Sequence, residues 1–118
     1  MSAIESGAAP GPGRRAWNKY NGLVWTVGVP SGRKEDDGIE EQTRLTCAVI
    51  DKRLAEAGTS KANILEATVF LTDLDEFRGF DGEWQKWLGD AGASRATVGV
   101  ARLMNNDKIE IKVTVAAP

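Results

Sequence analysis

The last quarter of the chain, residues 91–118, constrains the fold more than any other stretch. It contains two runs of strand-forming residues, 96–103 and 108–116, joined by four residues. Apolar and polar residues alternate along the second run, which predicts a strand with one buried face. Arg95 stands at the start of the first run, and Glu110 lies on the polar face of the second. The segment therefore predicts two rigid strands that present one cation and one carboxylate.

The segments before it predict a hairpin followed by a helix. Asn21-Gly22 separates two strand-like runs and suits the two positive φ angles of a type I′ turn. Asp37 and Glu40 have the spacing of a capping box, which predicts the start of a helix that ends at Gly58. The buried stripe of this helix is predicted to contain Thr43, Cys47, Ile50, Leu54 and Ala57.

A further strand and a second helix complete the predicted order. Residues 64–72 alternate between two differently lined faces, as a strand does. Asp73 and Glu76 form a second capping-box pattern before an amphipathic stretch that ends at Gly89. The order of strands and helices predicts an α+β fold with a mixed sheet and two helices packed on one face. The crossover through the first helix is expected to be right-handed.

Asp81 breaks the pattern of the second helix. At 100° per residue it falls inside the apolar stripe, close to the direction of Phe77 and Leu88. A carboxylate in that position is costly unless it is paired, hydrogen-bonded or open to a wet cleft. Two interpretations stay open: a structural partner for a cation or backbone group, or a place at the edge of a site.

Length and charge limit the classes of protein that this chain can be. Its 118 residues predict one domain at 14–118, preceded by a flexible N-terminal tail at 1–13. Fifteen basic and seventeen acidic residues give a net charge of −2, which disfavours nucleic acid as a partner. The single cysteine, Cys47, excludes an internal disulfide, and no apolar run is long enough for a membrane span. We expect a cytoplasmic protein.

The chain contains no histidine. This removes the Ser-His and Cys-His nucleophile pairs and the commonest zinc ligand, so no metal site is predicted. Cys47 lies on the buried stripe of the first helix and is interpreted as a small core residue rather than a reactive thiol. Any chemistry must therefore use arginine, lysine, carboxylates, hydroxyls, backbone groups or water.

The order and spacing of several short segments resemble the reactive-intermediate deaminase (Rid) family, also called the YjgF family and often labelled endoribonuclease. The similarity runs from about Leu23 to the C-terminus. The matching segments are Gly28, Glu41-Gln42-Thr43, 54–58, 67–73, Phe77 with Asp81 and Trp84, 94–98, 100–103 and 109–111.

The resemblance implies a homotrimer with a chorismate-mutase-like fold. Such trimers hydrolyse 2-imino acids and their enamine tautomers to keto acids and ammonia in the clefts between their subunits, without a metal or a cofactor. It also implies that Arg95 binds the substrate carboxylate and that Glu110 places or activates the attacking water. These roles agree with the planar fork of a guanidinium and with the base chemistry of a carboxylate.

Three positions differ from the family pattern. Val27, just before Gly28, stands where the well-studied deaminases carry serine; Thr97 replaces their cysteine, and Asp81 their asparagine. The resemblance implies that Gly28 and these three positions line the substrate site. A negative charge at Asp81 is expected to pair with Arg95 and to weaken the capture of an anionic substrate.

If the last two strands form a hairpin centred on Asn105-Asn106, Arg95 and Glu110 lie about 20 Å apart within one subunit. They would then meet only across an interface, or through a different strand pairing. A trimeric imine or enamine hydrolase is the first hypothesis, and a non-catalytic trimer that binds a small 2-imino or 2-keto acid ligand, or acts as a chaperone, is the alternative. A ribonuclease is the least favoured reading, since the chain lacks histidine and is acidic.

Overall fold

The computed structural model describes residues 3–118 as six strands and two helices. In chain order these are β1 (Glu5–Ser6), β2 (Trp17–Tyr20), β3 (Leu23–Gly28), α1 (Ile39–Glu56), β4 (Ile64–Leu71), α2 (Phe77–Leu88), β5 (Ser94–Gly99) and β6 (Ile109–Ala116). Short 3₁₀ turns occupy 61–63, 74–76 and 104–106. Among these residues no helix is long and apolar enough to cross a membrane.

The strands form one mixed sheet in the order β1-β2-β3-β6-β4-β5. Every neighbouring pair is antiparallel except β4 and β5, which are parallel. Because β3 and β4 both run antiparallel to β6, they are parallel to each other, and α1 connects them across β6. The α+β fold with a mixed sheet and two helices is confirmed.

The opening hairpin forms at the predicted turn. Asn21 and Gly22 have φ angles of 50° and 76°, as a type I′ turn requires. Within the predicted tail 1–13, β1 pairs with β2 and the Gly7 amide donates to the Trp17 carbonyl at 2.9 Å. Part of that segment therefore adds a strand to the edge of the sheet. Met1 and Ser2 lie outside the described residues, and the flexibility of the segment stays a prediction.

The predicted hairpin between the last two strands is wrong. The first of them ends at Gly99, and β4 lies between β5 and β6 in the sheet. The physical reason is that the strands differ in how much of their side-chain surface is buried. β4 and β6 carry fully buried residues and take central positions, whereas β5 is exposed at alternate positions and suits an edge. Residues 100–108 form the connection, in which Asn105 and Asn106 have positive φ angles of 59° and 56°.

Both predicted capping boxes are incomplete. α1 begins after Gly38, and the Asp37 carboxylate accepts instead from the Lys34 amide at 2.8 Å. Before α2, Asp73 accepts from the Asp75 amide at 2.9 Å, but the expected reciprocal partner Glu76 contacts Lys108. Other partners compete for these carboxylates, although the helices still end near the predicted glycines.

The core lies between the sheet and the two helices, and its central strand is β6. The side chains at positions 109, 111, 113 and 115 are at most 1% exposed. Leu65 departs from the predicted alternation and is 49% exposed, because the β4 register shifts between Ile64 and Glu66. Cys47 is buried as predicted, and this burial raises the pKa of its thiol to about 12.

Candidate functional site

Arg95 projects from β5 toward α2. It pairs in register with Ala67, which is 3% exposed, so both side chains lie on the helix-covered face of the sheet. The guanidinium carbon lies 5.2 to 5.7 Å from the centres of three aromatic rings, those of Phe77, Phe80 and Trp84. These are cation–π distances. The aromatic stripe of α2 therefore holds the arginine from one side.

Asp81 is the partner of this arginine. Its Oδ1 accepts a hydrogen bond from Arg95 Nη1 at 2.8 Å, and its Oδ2 accepts one from Gln85 Nε2 at 2.8 Å. Burial alone would raise the pKa of Asp81, but the hydrogen bonds from Arg95 and Gln85 and the charge of Arg95 together lower it. The carboxylate in the apolar stripe is thus a paired anion. The two paired side chains remain 21% and 23% exposed, so the pair is open to solvent on one side.

Thr97 and Gly28 lie on the same face of the sheet as Arg95. Thr97 is two positions further along β5, pairs with Val69 and is half-buried. Gly28 packs under α1, where a Cβ atom would stand 2.7 Å from Ile50 Cγ1 and 2.9 Å from the Thr46 carbonyl oxygen. Close packing against α1 therefore explains a glycine at position 28.

Glu110 lies on the opposite, open face of the sheet. It pairs with Phe70, which pairs in turn with Val98 on β5. Its side chain lines an open depression of about 750 Å³ together with residues of the 101–106 connection. Burial, followed by the charge of Asp107, raises the pKa of the Glu110 carboxyl. Among residues 3–118 no cation lies within ion-pair distance of it.

Val27 is also on the open face. It pairs with Lys112 and is 36% exposed, and its carbonyl accepts a hydrogen bond from Arg53 Nη1 at 2.6 Å. The predicted site residues are therefore divided between the two faces. Arg95, Asp81, Thr97 and Gly28 lie on the helix-covered side, and Val27 and Glu110 on the other.

Arg95 and Glu110 do not meet within one subunit. The register places Glu110 three positions beyond the level of Arg95 and two strands away, because Ala67 and Phe70 of β4 are their partners. At about 3.3 Å per residue and about 4.8 Å per strand, their Cα atoms are roughly 14 Å apart. The pairing differs from the predicted hairpin, yet it still separates the two groups and turns them to opposite faces.

Sequence reasoning missed an ion pair that fixes the segment before Glu110. Arg33 Nε donates to Asp107 Oδ1 at 2.8 Å, and Arg33 Nη2 donates to the Asn105 carbonyl at 2.6 Å. The two side chains are only 14% and 9% exposed. Seventy-four residues separate them, and no local pattern pairs an arginine in a loop with a distant aspartate.

The contact between Gln85 and Asp81 could have been predicted from the sequence, because side chains four residues apart lie next to each other on a helix. For metals, the described residues contain no group of three or more Cys, Asp or Glu side chains that could hold an ion.

Comparison with known proteins places these features in a family. The family model described as "Endoribonuclease L-PSP" matches residues 15–117. The RutC family protein YoaB of Escherichia coli is 35% identical over 98 residues, covering 82% of this chain and 84% of YoaB. The Arabidopsis thaliana protein named Reactive Intermediate Deaminase A, chloroplastic, is 29% identical over 117 residues, covering 95% of this chain and 62% of that protein.

A solved structure of this family has the same fold. The crystal structure of a YjgF-family protein from Neisseria meningitidis superposes with a TM-score of 0.89 at 28% identity, and the match covers 98% of this chain and 96% of that one. The chain has the fold of that structure. It belongs to the Rid/YjgF family, the family of the Endoribonuclease L-PSP model.

Proposed function

We propose that this protein is an imine or enamine hydrolase whose sites form between copies of the chain, with Arg95 from one copy and Glu110 from the next. The observation that carries the proposal is the division of the two groups between opposite faces of the sheet. A cation and a base that act on one small molecule must lie within a few ångströms of it. A second copy supplies the missing partner.

The open face of the sheet supports the assembly. Trp25, Val27 and Val98 all lie on it by register and are 36% to 39% exposed. Large apolar side chains exposed on one face of a sheet favour a protein interface. Family resemblance makes the trimer the expected assembly, and a cytoplasmic location stays a prediction.

The reaction follows from the residue types. Arg95 holds an acceptor group of the ligand and orients its C=N carbon. Glu110 takes a proton from water as the water oxygen bonds to that carbon and the C=N π electrons move to the nitrogen, and it then returns this proton to the nitrogen to give a carbinolamine. The hydroxyl proton of the carbinolamine next passes through the Glu110 carboxylate to the nitrogen, so that the C=O bond forms as the C–N bond breaks and ammonia leaves. An imine and water give a carbonyl compound and ammonia, so no electrons need to be supplied. The raised pKa of Glu110 favours this role, because it brings the carboxyl closer to the operating pH.

One observation favours a second function. Asp81 already engages the guanidinium of Arg95, as a ligand carboxylate would. A protein that binds a small carbonyl compound at the same site without turnover would have this arrangement too. The name of the Arabidopsis relative, Reactive Intermediate Deaminase A, supports the enzyme.

The test is an assay that generates 2-iminopropanoate and follows its loss. We expect the wild-type protein to accelerate hydrolysis above buffer, and Arg95→Ala to reduce kcat/KM at least about 100-fold, since it removes the group that orients the ligand. Arg78→Ala is the matched control, because Arg78 is an exposed cation of α2 with no ion pair among the described residues. A wild-type rate equal to buffer would reject the enzyme and favour the ligand-binding protein.

A further inference from the structure

Arg95 is neutralised inside its own subunit. Its ion pair with Asp81 is fixed from both ends, because Oδ1 accepts from Arg95 and Oδ2 accepts from Gln85. For Asp81 to leave the arginine, it would have to give up two hydrogen bonds at once. The carboxylate is therefore a resident feature of the site, and any ligand of Arg95 meets it.

The arginine nevertheless keeps donors for a ligand. A guanidinium has five N–H groups, and among the described residues Arg95 uses one of them, toward Asp81. The rings of Phe77, Phe80 and Trp84 lie at cation–π distances from the guanidinium and offer its N–H groups no oxygen acceptor. With 21% of its side chain exposed, Arg95 still offers hydrogen-bond donors at the rim of the site.

These donors have an unusual electrostatic setting. A ligand oxygen that reaches them lies within a few ångströms of the Asp81 charge, which is closer than the distance over which salt screens charges. A second carboxylate there is repelled by the first, as in pairs of carboxylates that share one site. An uncharged oxygen acceptor, such as a carbonyl or an amide, meets the same donors without that repulsion.

We propose that Asp81 is a charge filter, which makes the Arg95 site favour ligands that place an uncharged oxygen acceptor on the guanidinium over ligands that place a carboxylate there. The inference rests on the proposed function only in taking Arg95 as the ligand-binding cation. Among imines and enamines, the preferred substrates are then those whose acceptor group is neutral. 2-Imino acids are held weakly, with a high KM.

The experiment compares two stable probes of the same shape, 2-oxobutanoate and its uncharged amide, by calorimetric or NMR titration of the full-length protein. The wild type should bind the amide at least as tightly as the anion. Asp81→Asn keeps an oxygen that accepts from Arg95 but removes the charge. It should raise the affinity for 2-oxobutanoate relative to the amide at least tenfold.

Glu83→Gln is the matched control. It removes one carboxylate from the same helix, but Glu83 pairs with Arg44 and Lys86 and forms no ion pair with Arg95 in the part of the chain that the structure describes. We expect its preference to stay within twofold of wild type, and Arg95→Ala to abolish binding of both probes. If Asp81→Asn does not fold, Asp81→Ser serves the same comparison.

Two results would overturn the charge filter: an unchanged ratio of affinities in the Asp81 variant, or no binding of either probe to wild type and variant. The first includes a positioning role, in which Asp81→Asn weakens the binding of both probes equally. Binding is read without turnover, so the two proposals fail separately. A shifted ratio with no imine hydrolysis would reject the enzyme and keep the filter, whereas turnover with an unshifted ratio would do the reverse.

Discussion

The two ends of the candidate site are built in opposite ways. Arg95 is surrounded within its own subunit by three aromatic rings and a carboxylate, on the face that the helices cover. Glu110 is half-buried on the open face, with no cation within ion-pair distance among the described residues. The cation is pre-organised and its charge is balanced inside the chain. The carboxylate is held in place but left without a partner, as expected of a group that faces a second subunit.

The largest effect should come from Glu110→Gln. The substitution keeps the shape of the side chain and removes its ability to take a proton, so we expect kcat for imine hydrolysis to fall about 100-fold or more. The measurement is steady-state kinetics with 2-iminopropanoate. Asp90→Asn, which neutralises an exposed carboxylate after α2, should keep wild-type activity. Equal rates in wild type and Glu110→Gln would remove Glu110 from the mechanism.

The next prediction concerns the pH dependence of the reaction. Burial and the charge of Asp107 raise the pKa of Glu110 above the ordinary 4.5. Its base form is therefore lost at a higher pH than that of a free carboxyl, and kcat/KM should fall about tenfold per pH unit below this raised value. The profile of kcat/KM against pH tests this prediction. The acidic limb of the profile, in which kcat/KM falls with falling pH, should be absent in Glu110→Gln. A limb below the ordinary value would contradict the assignment.

The ion pair that secures the segment before Glu110 should matter more for stability than ion pairs on the surface. Arg33→Ala leaves the nearly buried Asp107 carboxylate without its partner, so we expect the free energy of unfolding to fall by about 2–3 kcal/mol. Urea denaturation measures this change. Arg44→Ala removes a half-exposed arginine and leaves Glu83 its contact with Lys86, so it should lower the free energy of unfolding much less than Arg33→Ala does. A similar cost for both would show that the Arg33 pair is not special.

The smallest effect is expected at the Arg95 end. The native state lowers the pKa of Asp81, so this group contributes stability above its unfolded pKa, and the contribution is lost as the pH falls through the native pKa. Because the pair is partly exposed, the contribution should be about 1 kcal/mol or less. Denaturation between pH 2 and pH 6 should show a flatter acid decline for Asp81→Asn. The same slope in both proteins would mean that the ion pair adds no stability.

The sequence carries most of the fold and only part of the site. The Asn21-Gly22 turn, the buried stripe of α1 and the alternation of β6 depend on local periodicity, and they form as predicted. Strand order depends on which strands gain most from a central position in the sheet, with a neighbouring strand on each side. A local sequence pattern cannot rank the strands in this respect. The insertion of β4 between β5 and β6 was missed for this reason.

The site shows the same division. The position of Asp81 within an apolar stripe indicated that its carboxylate has a partner, and Arg95 is that partner. The pairing of Arg33 with Asp107 joins two loops 74 residues apart, and nothing in either loop specifies the other. In the proposed function the rest of the site comes from a second subunit, whose position the sequence of one chain does not specify.

A mixing experiment tests the shared site most directly. Arg95→Ala and Glu110→Gln, each inactive alone, are unfolded, mixed in equal amounts and refolded together. In a cyclic assembly with one site at each junction, a quarter of the junctions join an intact Arg95 to an intact Glu110. We therefore expect about one quarter of wild-type activity. Activity no higher than that of the two variants refolded separately would contradict a site shared between subunits.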